Sequence, residues 1–421
     1  MTPTHVTADG RRVVVAAALV HRGRLLAARR TRPASVAGRW ELPGGKVEPR
    51  EDPHHALVRE LREELAVDAE VVGAVPGPLD GDWPLSADAV LRVLRARLVR
   101  GEPTAGIAHD ETRWLGPREA DAVPWLDADV APARAALARL DTWVDFPARA
   151  VSGEGVVLRV DPLGDGHHGV VVDRTPFHPL DPGWPDQPGD LGSLAGIPVR
   201  DCLTGTVDDH GELAVGAGVG VRRGDASRTW VVVHVVDAAG EVPRPGSTVD
   251  LQVDPGTRLR LSRAHSACHL AALALNETTA RFWRKEPPRR DSRGEPFLDQ
   301  LAIVDSQVRP DAAHDAYRVG RTLRKAGFDL GSFLAEAGAV AEEAATLLDA
   351  WTGRGGPSRV EVSGDPTLGA RRTWVAEVPG GPASIPCGGT HVADLAEIGR
   401  IRVSYRPTDE GFAASTSVTP P

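Results

Sequence analysis

The chain has 421 residues, 41% of them hydrophobic and 25% charged, with a formal net charge of −9. That length exceeds what one hydrophobic core usually serves, so two or three folded domains are expected and a largely disordered chain is excluded. Three cysteines are too few for a dense disulfide framework, no apolar run reaches membrane-spanning length, and the opening MTPTHVTADGRR lacks an apolar signal core, so a cytoplasmic protein with no membrane partner is expected.

Apolar β-branched runs at 13–20 and 25–30, joined by HRGR, predict a hairpin. After WELPGGKVE the pattern predicts a helix over 52–65, strands at 69–75 and 89–99 and a second helix over 129–140, an order that suits an α/β sandwich. Residues 1–140 are therefore read as one domain and 141–152 as a linker. Between 153 and 255 short β-rich runs such as GVVLRV and TWVVVHVVD, broken by Gly, Pro and Asp, predict a small barrel-like unit. Helical periodicity returns at 261–275 and 333–351, which makes residues 256–421 an α+β domain.

The segment from Gly45 to Val67, GKVEPREDPHHALVRELREELAV, fits G-x5-E-x7-R-E-U-x-E-E-x-G-U, where U is apolar, except that Ala66 takes the place of the last glycine. On a helix Glu60, Glu63 and Glu64 stand at i, i+3 and i+4, so their carboxylates share one face. Like charges that close need a cation, and convergent oxygens suit Mg²⁺ or Mn²⁺, which also bridge to diphosphates. A solvated helix laced with Glu–Arg pairs is the bland alternative, but Gly45, Glu51 and Arg59 all fall at the required upstream offsets.

This segment resembles the Nudix box, and the flanking RTRPASVAGRWELPGGKVE and HDETRWLGPREADAVPW resemble the short Nudix enzymes that act on (d)CTP or oxidised (d)GTP, over about residues 11–140. The resemblance implies an α/β/α sandwich and Mg²⁺-dependent pyrophosphohydrolysis of a nucleoside triphosphate. By the same resemblance Glu60, Glu63, Glu64 and the Gly45 carbonyl hold metal, and Glu51, Arg59 and Glu63 serve catalysis, Arg59 orienting Glu51. Members of that group often carry a glutamate six residues before Trp114, where this chain has Ala108; Asp110 and Glu111 are the nearby replacements.

In RLSRAHSACHLAALAL, His265 and His269 are four residues apart on an apolar helix and project from one face. IPCGGTHVADLAEIG places Cys387 and His391 at the same separation, completing a set of imidazole and thiolate donors suited to tetrahedral Zn²⁺. Cys202 and Cys268 read as small core residues. HSACHL together with CGGTHV resembles the editing domain of alanyl-tRNA synthetases and their freestanding relatives, and DRTPFHP, QPGDLG and VVVHVVD extend the match over about 156–403. The resemblance implies a zinc-dependent deacylase that frees serine or glycine from mischarged alanine tRNA, acting in trans because no aminoacylation module precedes it. Gln187 is carried over as a catalytic residue, although DPGWPDQ replaces the family's glycine-rich loop. Whether the metal activates water or binds the aminoacyl end is left open.

Residues 276–327 match no part of the compact editors. Within them Arg281, Arg284, Lys285, Arg289, Arg290 and Arg293 oppose only Glu286 and Asp291 and interleave with Phe282 and Trp283, a pattern suited to phosphate contact and base stacking or, equally, to a solvated basic loop. Two function classes follow: a fused pair of hydrolases, favoured by the intact ligand sets, or a metal-stabilised nucleotide- and RNA-binding protein with degenerate sites, favoured by Ala108 and the loop 181–187. The nucleotide and the oligomeric state are not legible.

Overall fold

The computed structural model describes residues 6–21, 23–106, 108–208, 210–225, 227–239 and 241–421. Strand Arg12–His21 turns back into Arg24–Arg30 with Val20 opposite Leu25, and also runs parallel to Ala89–Arg100. Both faces of Arg12–His21 are covered, which is why it reads as an unbroken apolar run rather than an alternating one. On one side the helix Pro53–Leu65 packs Ala56, Leu57, Leu61 and Leu65 against Val13, Val15 and Leu19. On the other, Ala133, Ala136 and Leu137 of the helix Asp127–Leu137 join Ala16, Ala18 and Leu42. The first third is thus an α/β/α sandwich. Strands Trp40–Glu41, Gly44–Lys46 and Trp83–Ser86 were not expected, since two to four residues are too few to show a period.

The helix Pro53–Leu65 opens with the Asp52 carboxylate accepting the His54 N–H at 2.8 Å, and it closes on Ala66 at φ +57°, whose N–H returns to the Arg62 carbonyl. Alanine therefore occupies the left-handed position where the box calls for glycine, at a cost of about 1 kcal/mol.

Residues 141–152, expected as a linker, are built into the following domain. The Thr142 N–H donates to the Trp230 carbonyl at 2.9 Å and Trp143–Val144 pairs with Arg174–Thr175, while Val144 and Phe146 are buried. Two apolar side chains in that short stretch find a core, which a true linker could not offer them. Beyond it, antiparallel strands between Ser152 and Val253 form a seven-stranded sheet in which Gly192–Leu194 pairs with both Ile197–Val207 and Thr248–Val253, closing the sheet on itself.

The helix Pro255–Thr278 starts six residues earlier than the apolar period suggests, because Asp254 caps it by accepting the Thr257 N–H at 2.6 Å and Pro255 fits its first turn. Through Ala267, Leu270 and Ala274 it packs on Trp374 and Ala376 of a three-stranded sheet; through Ala264 and Cys268 it meets Val308 and Ala313 of a four-stranded one. The period over 333–351 resolves into Leu330–Ala335 and Ala337–Arg354, interrupted at Glu336. Among the described residues no helix is long and apolar enough to cross a membrane.

Candidate functional site

The first centre is set by how closely the strand Gly44–Lys46 approaches the helix Pro53–Leu65. A β-carbon at Gly45 would lie 2.3 Å from the Glu60 carboxyl carbon, so only glycine lets that carboxylate rest against the strand. The Arg59 guanidinium grips Glu51 with two bonds of 2.9 Å and reaches Glu60 at 3.0 Å and Glu63 at 3.3 Å. This fork holds the Glu51 carboxyl below the usual range. Glu64 is pushed the other way: burial raises it, and the charges of Glu60 and Glu41 outweigh part of the pull of His109. Its Oε2 is buried without a hydrogen-bond partner. A buried, crowded carboxylate oxygen with nothing to accept from is what a divalent cation satisfies, so the residues present fit Mg²⁺ or Mn²⁺.

Three further residues belong here. Glu41, 9% exposed, accepts from Arg30 at 2.6 Å and sits 2.8 Å from His109 Nε2, adding a fourth acid near Glu64. Its signal was the WELPGG stretch leading into the box. His109 itself is buried on the strand His109–Leu115. Asp129 accepts the Leu42 N–H at 3.0 Å, and burial pushes its carboxyl up to about 7. Asp110 and Glu111 are both drawn off by Arg29, at 2.8 and 2.9 Å, so His109 rather than either of them faces Glu64.

The second centre lies where the helix Pro255–Thr278 faces the loop after Gly381–Pro386. Ligand atoms of His265, His269, Cys387 and His391 all lie within 4.8 Å of one another. Cys387 Sγ is 3.4 Å from His265 Nε2 and 3.3 Å from His391 Nε2. Gln187 Oε1 accepts the Thr390 N–H at 3.0 Å and lies 2.7 Å from His265 Nδ1, which must therefore donate and leave Nε2 to face Cys387. Ser266 Oγ braces His391 Nδ1 at 3.2 Å, and His269 Nε2 is buried without a partner. A β-carbon at Gly389 would lie 2.2 Å from the His265 ring, which explains glycine at that point of CGGTH. Burial opposes ionisation of the Cys387 thiol, but the imidazoles of His265, His269 and His391 more than offset it and hold the thiol well below its usual range. Three nitrogens and a thiolate converging with one orphaned donor fit Zn²⁺.

His265, His269 and Cys387 line a cleft of about 710 Å³ that Asp186, Trp184, Arg223, Arg372 and Asp299 also line. Asp186, which the sequence did not single out, stands 3.3 Å from His265 Nε2. Arg223 is tied to Asp181 at 2.8 Å, so the altered loop 181–187 forms the cleft wall. Burial and the neighbouring Arg223 draw the Arg372 guanidinium down to about 9. Gln187 is fully buried behind His265 and does not line the cleft.

The basic run at 281–293 is placed differently from its sequence pattern. Arg281 pairs with Glu343 at 2.6 Å and Glu336 at 3.3 Å, Arg284 with Asp329, Arg290 with Glu286 at 2.9 Å and Arg293 with Glu277 at 3.3 Å. Arg289 donates to Gln300 and Lys285 to the Lys325 carbonyl. Phe282 is buried against Phe333, and Trp283 lies half-buried against Phe328. The acids that neutralise these arginines come mostly from residues 329–343, too distant in sequence to be counted with them, and of the rings that were to stack bases Phe282 is in the core and Trp283 is turned against Phe328.

Residues 10–140 match the NUDIX domain family. A Mycobacterium tuberculosis protein provisionally named 8-oxo-dGTP diphosphatase 2 is 42% identical over 117 residues, 28% of this chain and 82% of the relative. The CTP pyrophosphohydrolase of Escherichia coli is 53% identical over 58 residues, 14% of this chain and 43% of the relative. The alanyl-tRNA editing protein AlaX-M of Pyrococcus horikoshii is 25% identical over 234 residues, 55% of this chain and 78% of the relative. With a box helix whose carboxylates converge on one face, the chain belongs through residues 10–140 to the NUDIX family of hydrolases, and it also carries a region similar to an alanyl-tRNA editing protein.

Proposed function

We propose that the chain is a two-site hydrolase: a nucleoside triphosphate pyrophosphohydrolase over residues 1–140, and a trans-acting deacylase of mischarged alanine tRNA built from a β-rich unit to residue 255 and a metal-binding unit over 256–421. The observation that carries it is the convergence of His265, His269, Cys387 and His391, three of which line a cleft, with Gln187 bonded to His265 from behind. Zn²⁺ held there would supply Lewis acidity toward an ester carbonyl or a water molecule. Arg223 and Arg372 line the cleft and suit the phosphates of an acceptor end, while Asp186 stands where it can hold a proton beside His265. Gln187 is a positioning residue in this reading, since it reaches the cleft only through His265.

In the first site Glu60, Glu63, Glu64 and the Gly45 carbonyl are the groups to hold Mg²⁺ or Mn²⁺, which would bridge and charge-neutralise a diphosphate. Arg59 fixes Glu51, and the hydrogen-bonded pair Glu41–His109 lies beside Glu64. The named relatives point to oxidised dGTP or CTP as the nucleotide. For this site alone a second reading, nucleotide binding with little turnover, is favoured by Ala108 and by the engagement of Asp110 and Glu111 with Arg29. Both substrates would be met in the cytoplasm.

The test is to incubate the zinc-loaded full chain with alanine tRNA charged with serine, glycine or alanine. Release of serine and glycine with alanine spared is expected; no release from any of them would sink the deacylase. In parallel, Mg²⁺-dependent pyrophosphate release from oxidised dGTP and from CTP decides between the two readings of the first site.

A further inference from the structure

The four-stranded sheet presents its inner face to the helix Pro255–Thr278 and leaves the other face bare. Its strands run in the order Ile303–Arg309, Ala312–Arg318, Gly411–Thr419, Arg400–Pro407. Away from the irregularity at Ile303–Asp305 and the strand end at Gly411, residues alternate: Val308, Ala313, Tyr317, Phe412 and Ile401 are buried, while Arg309, Arg318, Arg400, Arg402 and Arg406 are exposed on the other face. Register shows how these arginines are spread. Arg309 stands opposite Ala312, Ala312 opposite Ser417 and Ser417 opposite Arg402, so one row crosses the sheet with an arginine at each end and small residues between. The next row carries Gln307, His314, Ser415 and Ser404.

The consequence is a trough of about 520 Å³, floored by Ala312, His314, Ser415 and Ser417 and walled by Arg309 and Arg402. Three strand spacings put the walls about 14 Å apart. Among the described residues only Arg402 of the five arginines forms an ion pair, at 3.1 Å to Asp349. Asp305 is the one carboxylate at an outward position of these strands, with Asp409 and Glu410 in the turn beyond Arg406. On a chain of net charge −9 this is a local reversal of sign with little internal neutralisation, in contrast to the basic run at 281–293.

We propose that this arginine-walled trough is the docking surface for the backbone of an RNA stem, and that it positions the same RNA whose acylated end enters the zinc cleft. The proposal rests on the deacylase reading above. Guanidiniums recognise phosphates, serine hydroxyls and His314 can meet phosphate or 2′-hydroxyl groups, and the face carries no Phe, Tyr or Trp ring for stacking bases, which favours shape recognition of a duplex over reading of a single strand. Continuity with the chemistry comes from the strand Ile303–Arg309: Ile303 and Ser306 line the zinc cleft, Gln307 and Arg309 line the trough, and the Val308 N–H is bonded at 2.7 Å to the carbonyl of Asp186 beside the metal quartet. One strand's thickness separates the two surfaces.

The experiment measures binding of uncharged alanine tRNA to the zinc-loaded full chain across a salt series, comparing wild type, the double variant Arg309→Gln with Arg406→Gln, and a control pair Arg32→Gln with Arg244→Gln that removes the same charge elsewhere. The face variant should weaken binding by about tenfold or more at low salt and flatten the slope of log affinity against log salt by roughly 2, while the control pair leaves the slope unchanged. Equal losses in both variants, or no loss in the face variant, would overturn the assignment. A DNA duplex of the acceptor-stem sequence bound as tightly as its RNA counterpart would overturn the choice of RNA. Because uncharged tRNA is the probe, a protein that binds through this face yet never deacylates would refute the deacylase reading and leave the surface standing.

Discussion

The carboxylates of the first candidate metal centre come from one 13-residue helix and the strands beside it, whereas Cys387 and His265 of the second candidate are 122 residues apart in sequence. In the first, helical geometry alone brings Glu60, Glu63 and Glu64 to one face, so the ligand set exists wherever the helix does, and its like charges oppose one another until a cation is present. In the second, convergence is the work of a whole domain: the quartet is held by Gln187, Ser266 and Thr390 from three separate segments. A local centre is electrostatically strained; a non-local one is buttressed.

That contrast can be broken most severely by Cys387→Ala. Three neutral imidazoles cannot replace a thiolate's charge in a buried site, so the variant should lose both its zinc, by metal analysis, and its deacylase activity, while the apolar packing of the helix Pro255–Thr278 preserves the circular dichroism. The mirror experiment is Glu63→Gln, which should abolish Mg²⁺-dependent nucleotide hydrolysis without changing zinc content or deacylation; a loss in both activities would show that the centres are coupled. Gln187→Ala removes only the brace. Zinc affinity, read by chelator competition, should fall by about 10- to 100-fold, and Gln187→Glu, which keeps an acceptor for His265 Nδ1, should recover much of it.

Smaller effects sharpen the account of the first domain. The Asp129 carboxyl is raised from 3.8 to about 7 by burial, so its protonated form is favoured in the fold: that contribution is fully present below pH 4 and is lost as pH rises toward 7. Asp129→Asn keeps an acceptor for the Leu42 N–H and should overtake wild type in stability across that window, by roughly 2–4 kcal/mol at neutral pH in urea titrations, with little difference at pH 4. Least of all, Ala66→Gly should raise the midpoint of thermal unfolding of the first domain by a few degrees, since it relieves a left-handed alanine worth about 1 kcal/mol.

Much of the first centre could be read from residue spacing because its partners lie within one helical turn or one short loop. Arg59 does reach Glu51 over the predicted eight residues. Glu41 and His109 escaped because they are 68 residues apart and meet only when the strands Trp40–Glu41 and His109–Leu115 flank the same strand, Arg24–Arg30. At the second centre the four ligands were legible from two matching i, i+4 pairs, but the burial of Gln187 and the approach of Asp186 to His265 were not, since neither adjoins a ligand in sequence.

Charge shows the division most plainly. Arg281, Arg284, Arg290 and Arg293 cluster in sequence and are then cancelled by Glu343, Asp329, Glu286 and Glu277, whereas Arg309, Arg318, Arg400, Arg402 and Arg406 are scattered over two segments and gathered onto one face by strand register. The sequence by itself determined the four longest helices, the shared face of Glu60, Glu63 and Glu64 and the relation of residues 10–140 to the NUDIX family, because periodicity and short spacings are local consequences of backbone geometry. Only the tertiary structure decided which charges remain free and which side chains brace the ligands, because a charge is neutralised, and a ligand held, by whatever the fold brings within hydrogen-bond reach, irrespective of distance along the chain.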